Sequence, residues 1–285
     1  MTRVVSARNM NKQFGDTWAM RDVSFDIEPG AIVGLIGPNG AGKTTTLKAI
    51  LGLTGFEGSL EVMGLDPRKS RHDIMQNVCF VSDVGILPRW IRVSEVLDYV
   101  AAVHPAFDRN KAEALLGETD ISFNQRVKQL SKGMVTQLHL ALVLAISVDL
   151  LVLDEPTLGL DILYRKAFYD RLLNDYFDHT TSIIISTHQV EEIESLLTHL
   201  LFINHGEIVL DSAMDDLAER YVEVLVDPHK LDAANALGPL RSRDVIGKKS
   251  LMFENVPRSQ LEGLGELHVP SVADLFVAKL ERVGR

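Results

Sequence analysis

Apolar positions along this chain follow two rhythms, and the switches between them outline its elements. Residues 3 to about 30 alternate apolar and polar through Val4-Val5, Phe14-Gly15-Asp16 and Val23-Ser24-Phe25-Asp26-Ile27-Glu28, closing on Pro29-Gly30. Period-2 alternation broken by turn residues predicts short antiparallel strands. Ala31-Ile32-Val33-Gly34-Leu35-Ile36 is a continuous apolar run and reads as a strand buried on both faces. Lys43–Leu51 predicts helix, and Ser59–Val62 predicts a strand inside a passage punctuated by Gly52, Gly55, Gly58 and Gly64. Asn77–Val81 reads as another strand. From Asp83 to about Ser147 the spacing becomes helical: Ser94–Val100 opens on an N-cap serine, Asn110–Leu116 reads alike, and Met134–Ile146 is a strongly apolar helix. Strand character returns at Leu150–Leu153 and Ser182–Ser186. A helix over Gln189–Leu197 follows, then a hairpin from Leu200–Ile203 and Ile208–Leu210. Beyond about Tyr221 come alternating Val222, Val224 and Val226, a helix-like Leu231–Leu237, a strand Lys249–Val256 and a closing helix Ala273–Val283 striped by Leu275, Phe276, Leu280 and Val283. These predict a small α+β appendage with no chemical constellation of its own.

Chemistry gathers where the apolar strands end. Gly37-Pro38-Asn39-Gly40-Ala41-Gly42-Lys43-Thr44-Thr45 follows the first buried strand and matches G-x-x-x-x-G-K-[ST], the phosphate-binding P-loop. Its glycines let the backbone curl until consecutive N–H groups face phosphate oxygens, and the helix N-terminus adds positive potential. Lys43 reaches the outer phosphates and the Thr44 hydroxyl suits Mg²⁺. The motif therefore predicts a bound nucleoside triphosphate. Leu150–Leu153 ends in Asp154-Glu155, the Walker B arrangement. There Asp154 is expected in the Mg²⁺ shell, and Glu155 one residue further out, placed to orient or deprotonate the attacking water. Ser182–Ser186 ends in Thr187-His188, a histidine able to donate to a terminal phosphate. Phe14 reads equally as a hairpin anchor or as a flat surface for a purine.

Composition narrows the classes. The chain has 285 residues, 46% apolar and 24% charged, enough for one large or two ordinary globular domains. A net charge of −10 argues against nucleic acid as the main partner. The single cysteine, Cys79, forms no internal disulfide, fits a reducing cytosol, and reads as core filling. Leu138–Leu153, the longest apolar segment, is broken by His139 and Asp149 and is too short to span a bilayer.

Together these motifs resemble the ATP-binding subunit of an ABC transporter, over residues 3 to about 217. Gln129-Leu130-Ser131-Lys132-Gly133-Met134 is similar to that family's signature loop at the start of the helix before Walker B. Pro156-Thr157 continues Walker B as in the family, Leu158-Gly159-Leu160-Asp161 is similar to the D-loop, His188 matches the switch histidine, and Phe14 falls where the family stacks an aromatic on adenine. The resemblance implies a P-loop NTPase α/β fold with an N-terminal antiparallel β subdomain and a helical insertion at about 84–148, together spanning 1–218, with an α+β appendage over 219–285. It implies a head-to-tail pair, two copies or two homologous ATPase subunits, sandwiching two ATP molecules with Mg²⁺. Each ATP would sit on one P-loop and face Ser131, Lys132 and Gly133 of the other subunit, with Asp161 linking the two sites. Closing and opening would drive separate transmembrane permease subunits, placing the chain in the cytoplasm at the inner face of the cell membrane.

Two positions depart from the family pattern. Asp83 stands where a glutamine usually touches the metal or the attacking water, and an aspartate there binds the metal directly or through water. Lys132 either adds positive charge near the partner's ATP or points into solvent. The Ser-Lys-Gly-Met form looks like the branch of bacterial exporters with separate ATPase and membrane chains. Import, a soluble ABC ATPase outside transport, and a GTPase or small-molecule kinase are the alternatives. The last lacks an Asn/Thr-Lys-x-Asp guanine-reading motif here.

Overall fold

The computed structural model describes residues 3–82, 87–158, 162–177, 180–245 and 247–283. Along them the strands are β1 (Val5–Phe14), β2 (Thr17–Ile27), β3 (Ile32–Ile36), β4 (Glu57–Val62), β5 (Val78–Val81), β6 (Leu150–Asp154), β7 (Ser182–Thr187), β8 (His199–Asn204), β9 (Glu207–Ala213), β10 (Tyr221–Val226), β11 (Arg241–Val245), β12 (Lys248–Glu254) and β13 (Gly265–His268). The continuous apolar run lies inside a six-stranded sheet of order β5-β6-β7-β3-β8-β9. Its pairs are parallel except the β8–β9 hairpin. β3, β6 and β7 are buried at every position, because a parallel sheet must be covered on both faces.

The two faces divide the apolar residues by parity. Val33, Leu35, Val152, Ile184 and Leu201 pack with Leu47 and Ile50 of the helix Lys43–Ile50 and with Met10, Val23, Phe25 and Leu60 of a small antiparallel sheet, β2-β1-β4. Ile32, Ile36, Leu151, Leu153, Ile183 and Ile185 pack on the opposite side with Leu140, Phe168 and Leu172. That second cluster also takes in Tyr221, Met252, Val272, Leu275 and Ala278. The C-terminal sheet, of order β11-β12-β10-β13, is thereby seated on this second cluster through the helix Val272–Val283. Phe276 meets Phe202 edge-on at 5.1 Å between ring centres. Three helices, Val93–Val103, Arg109–Gly117 and Lys132–Leu144, form the insertion around Val96, Leu97, Leu116, Leu138 and Leu142.

The fold is the expected one, a P-loop NTPase sheet with an antiparallel β subdomain, a helical insertion and an α+β appendage. Three local expectations are corrected. The alternating segments before Pro29 form one long hairpin, β1–β2, whose pairing shifts between Ala7 and Met10 and again near Lys12. Such bulges reset the alternation without ending a strand. Ser94 is not an N-cap. The helix starts at Val93, the Arg92 N–H donates to Glu95 Oε2 at 2.8 Å, and the Ser94 N–H donates to the Phe123 carbonyl. Gln189–Leu197 is two single 3₁₀ turns, Val190–Glu192 and Glu194–Leu196, instead of an α-helix. A helix that short is marginal alone, and tertiary partners take its carboxylates: Glu192 pairs with Arg165, and Glu194 Oε1 accepts from the Val272 N–H at 3.2 Å. Cys79 is buried in the core, and burial pushes its thiol up to about 12. No helix among the described residues is long and apolar enough to cross a membrane.

Candidate active site

Strand register brings the motif residues to one edge. β3, β7 and β6 are neighbours, with Ile36 opposite Thr187 and Ser186 opposite Asp154. The carboxyl ends of the three strands therefore deliver Gly37, His188 and Glu155 side by side, at the edge where open α/β sheets bind ligands.

Close approach fixes the first and last glycines of the loop. A Cβ on Gly37 would lie 2.3 Å from the Ile203 carbonyl oxygen, and one on Gly42 would lie 2.1 Å from the Ala19 carbonyl oxygen. Gly42 also has φ +114°, a conformation L side chains rarely adopt. The loop is tied to its surroundings by the Gly206 N–H donating to the Ala41 carbonyl at 2.9 Å and the Thr46 hydroxyl donating to the Gly42 carbonyl at 3.0 Å. Pro38 is half-buried, Ala41 is buried, and Asn39, Gly40 and Thr44 are exposed, with Thr45 between.

Lys43 is folded inward, 6% exposed, its ammonium donating to the carbonyls of Gly37 at 2.8 Å and Pro38 at 3.3 Å. It also lies 3.1 Å from Glu155 Oε1. That approach is an ion pair without hydrogen-bond alignment, so Oε1 is buried with no donor of its own. The other oxygen, Oε2, meets His188 Nδ1 at 2.9 Å. Glu155 has φ +48°, a strained left-handed backbone for a residue other than glycine. The two residues read as catalytic, Glu155 and His188, are thus in contact, Lys43 of the loop joins them through Glu155, and Asp154 stands next in the chain with 5% exposure.

Other candidates lie apart. Ser131 is the N-cap of the helix Lys132–Leu144, its Oγ accepting from the Met134 N–H at 3.2 Å. Ser131 and Lys132 are exposed and Gly133 is buried. Among the described residues no hydrogen bond or ion pair joins these three to the glycine loop. Phe14 is 55% exposed at the end of the β1–β2 hairpin, with Lys12 Nζ 5.0 Å from its ring centre. Asp83 and Asp161 lie outside the described residues.

Two features were not read from the sequence. Ser186, wholly buried, donates to Asp154 Oδ1 and accepts from the Glu155 N–H at 3.1 Å. A hydroxyl directly after Ile183-Ile184-Ile185 was its available signal. Behind the site, Arg165 bonds Gln189 Oε1 at 2.6 Å and pairs with Glu192, while the Thr157 hydroxyl shares a 3.2 Å hydrogen bond with Tyr169. Burial raises the Tyr169 phenol well above its ordinary value, so it stays neutral.

Chemically the edge offers a glycine cradle, an ammonium, an exposed hydroxyl and two carboxylates. Among the described residues no cluster of three or more His, Cys, Asp or Glu side chains is placed to hold a metal by itself. Mg²⁺ takes one or two protein oxygens and completes its shell with phosphate and water. The exposed Thr44 hydroxyl on the loop and the Asp154 carboxylate at the end of β6 are oxygens of the kind that demand asks for.

A family model described as ABC transporter matches residues 20–158. The Nod factor export ATP-binding protein I of Burkholderia lata is 36% identical, over 96% of this chain and 95% of its own length. The chain belongs to the ATP-binding subunits of ABC transporters. This ABC ATPase is also 31% identical to the Nod factor export ATP-binding protein I of Rhizobium etli, over 94% of this chain and 90% of that one. The ABC transporter ATP-binding protein YtrB of Bacillus subtilis is 28% identical, over 78% of this chain and 76% of its own. Among solved structures, the ATP-binding subunit of an ABC transporter superposes with a TM-score of 0.68 at 23% identity, over 76% of this chain and 92% of that one. The cbiO1 protein of Clostridium perfringens, part of the ABC transporter complex cbiONQ, gives 0.64 at 21%, over 76% and 90%. At such identities the structures speak for the fold, while the sequence relatives carry the family. An ATP-binding ATPase is what that family makes it.

Proposed function

We propose that this ABC ATPase hydrolyses ATP as a head-to-tail pair and drives export through separate transmembrane permease subunits. Residues 1–218 are the ATPase domain and 219–285 a small α+β appendage. The carrying observation is the joint placement of Lys43, Glu155 and His188 at the end of three adjacent strands, with the Ser131 loop outside that cluster. Phe14 stacks on the adenine, and residues Gly37 to Thr45 cradle the phosphates with Lys43 on the outer two. Thr44 and Asp154 would hold Mg²⁺, which would supply positive charge to the phosphate oxygens, and Asp83 is assigned to the metal directly or through water. Glu155 takes the proton of the attacking water as its oxygen bonds to the γ-phosphorus and the bond to the bridging oxygen breaks, releasing ADP and phosphate. His188 holds the γ-phosphate and, through its contact with Glu155, orients the base. Ser131, Lys132 and Gly133 of a second subunit complete the site, with Asp161 linking the two.

Direction rests on the relatives named as export proteins. The subunit works in the cytoplasm, held at the inner face of the membrane by its permease. Glu155→Gln tests the assignment of the base. Loss of a general base lowers kcat about 100-fold or more, while fluorescent ATP still binds and traps a dimer on size exclusion. Normal turnover in that variant rejects the role given to Glu155.

A further inference from the structure

We infer that Ser186 is a positioning residue that sets both Walker B carboxylates through one hydroxyl group. The inference rests on the roles proposed for Asp154 and Glu155. Parallel pairing of β6 with β7 places Ser186 directly opposite Asp154. Ser186 is wholly buried on a strand whose other interior residues are isoleucines. Its O–H donates to Asp154 Oδ1. A hydroxyl has one proton, so Oγ then faces its next neighbour as an acceptor, and that neighbour is the Glu155 N–H at 3.1 Å. The same N–H lies 3.1 Å from the Ser186 carbonyl, so Ser186 brackets it with two oxygens.

Each bond has a separate consequence. The bond to Oδ1 fixes the rotation of the Asp154 carboxylate, leaving Oδ2 as the oxygen free for a cation. The bond from the Glu155 N–H holds that residue at φ +48°, a conformation that persists only where its surroundings impose it. This turn sends the Glu155 carboxylate toward Lys43 and His188 instead of continuing along the strand. Among the described residues no hydrogen bond joins Ser186 to the loop Gly37–Thr45, so its effect falls on metal placement and catalysis rather than on nucleotide affinity.

The test compares Ser186→Ala, Ser186→Cys and Ser186→Thr with the native chain, alongside Asp154→Asn. Hydrogen bonds to charged groups are strong enough that Ser186→Ala should lower kcat about tenfold to a hundredfold. Mn²⁺ affinity of the complex with a non-hydrolysable ATP analogue, followed by electron paramagnetic resonance, should weaken about tenfold. Fluorescent ATP binding in EDTA should stay within about twofold, because the P-loop is untouched. Ser186→Thr keeps the hydroxyl and should recover most of both losses, and Ser186→Cys, with a weak S–H donor, should fall between. Native Mn²⁺ affinity and kcat in Ser186→Ala overturn the inference, as do equal losses in Thr and Ala. If Ser186→Ala is native-like while Asp154→Asn loses Mn²⁺ affinity, the Ser186 inference alone falls. If Asp154→Asn itself keeps native Mn²⁺ affinity, the metal reading falls and takes the inference with it.

Discussion

A methyl group added at Gly42 and one added at Gly40 perturb the same loop by different physics. At Gly42 the new carbon would lie 2.1 Å from the Ala19 carbonyl oxygen, 3.2 Å from Ile203 Cδ1 and 3.3 Å from the Ala19 carbonyl carbon, with φ at +114°. The nearest neighbour, the Ala19 carbonyl, is backbone and does not yield cheaply, because Ala19 lies within β2 beside the fully buried Met20. Backbone strain of about 1–3 kcal/mol and overpacking of about 1–3 kcal/mol add to roughly 2–6 kcal/mol for Gly42→Ala. Gly40 has φ +81° and nothing within 4 Å of the added carbon. Gly40→Ala therefore pays only the left-handed strain, about 1–2 kcal/mol. Against a typical total of about 5–15 kcal/mol, the first substitution threatens the fold and the second does not. Urea unfolding followed by circular dichroism measures both from the midpoint and slope. Equal losses, or a Gly42→Ala cost under about 1 kcal/mol, refute the close-approach reasoning.

Further expectations concern the core around the site. His139 sits in the helix Lys132–Leu144 with Nε2 buried and unbonded, and burial lowers its pKa from the ordinary 6.5. Above pH 6.5 neither folded nor unfolded chain carries that proton. As pH falls through 6.5 the unfolded chain gains it first, and stability drops by up to about 1.4 kcal/mol per pH unit until the folded pKa is reached. His139→Leu should flatten the melting temperature between pH 7.5 and 5.5; an unchanged pH profile rejects this. Leu275 is 1% exposed in the cluster shared by the last helix and the six-stranded sheet. Leu275→Ala should cost about 2–5 kcal/mol and lower the melting temperature of the whole chain in one transition, including its ATP-stabilised form. A separate early transition, with the ATP-bound part unmoved, rejects the shared core.

What could be read from the sequence was what is local in it. The P-loop and the Walker B end carry their chemistry within a few consecutive residues, and the buried strands β3, β6 and β7 announce themselves as continuous apolar runs. Ser186 was not legible because its meaning comes from Asp154, which register alone brings opposite it. The bond between Arg165 and Gln189 likewise joins segments that meet only in the fold. β11 reads Arg-Ser-Arg-Asp-Val and is exposed or half-exposed throughout, so an edge strand of the appendage left no apolar alternation to find. The bulges of β1–β2 scrambled the period of one long hairpin into apparent fragments. The exposure of Phe14 suits either reading of that residue.

The half-site is the central claim, and mixing two silent variants tests it most directly. Lys43→Ala removes the buried ammonium of the P-loop, and Ser131→Glu puts a carboxylate at the exposed N-cap of the helix Lys132–Leu144. Each alone should bring ATP hydrolysis close to background. In an equimolar mixture random pairing leaves half the pairs mixed, each with one intact site of two, so the rate should return to about a quarter of native. A mixture as silent as its components, or native turnover in Ser131→Glu alone, contradicts a site completed by the second subunit.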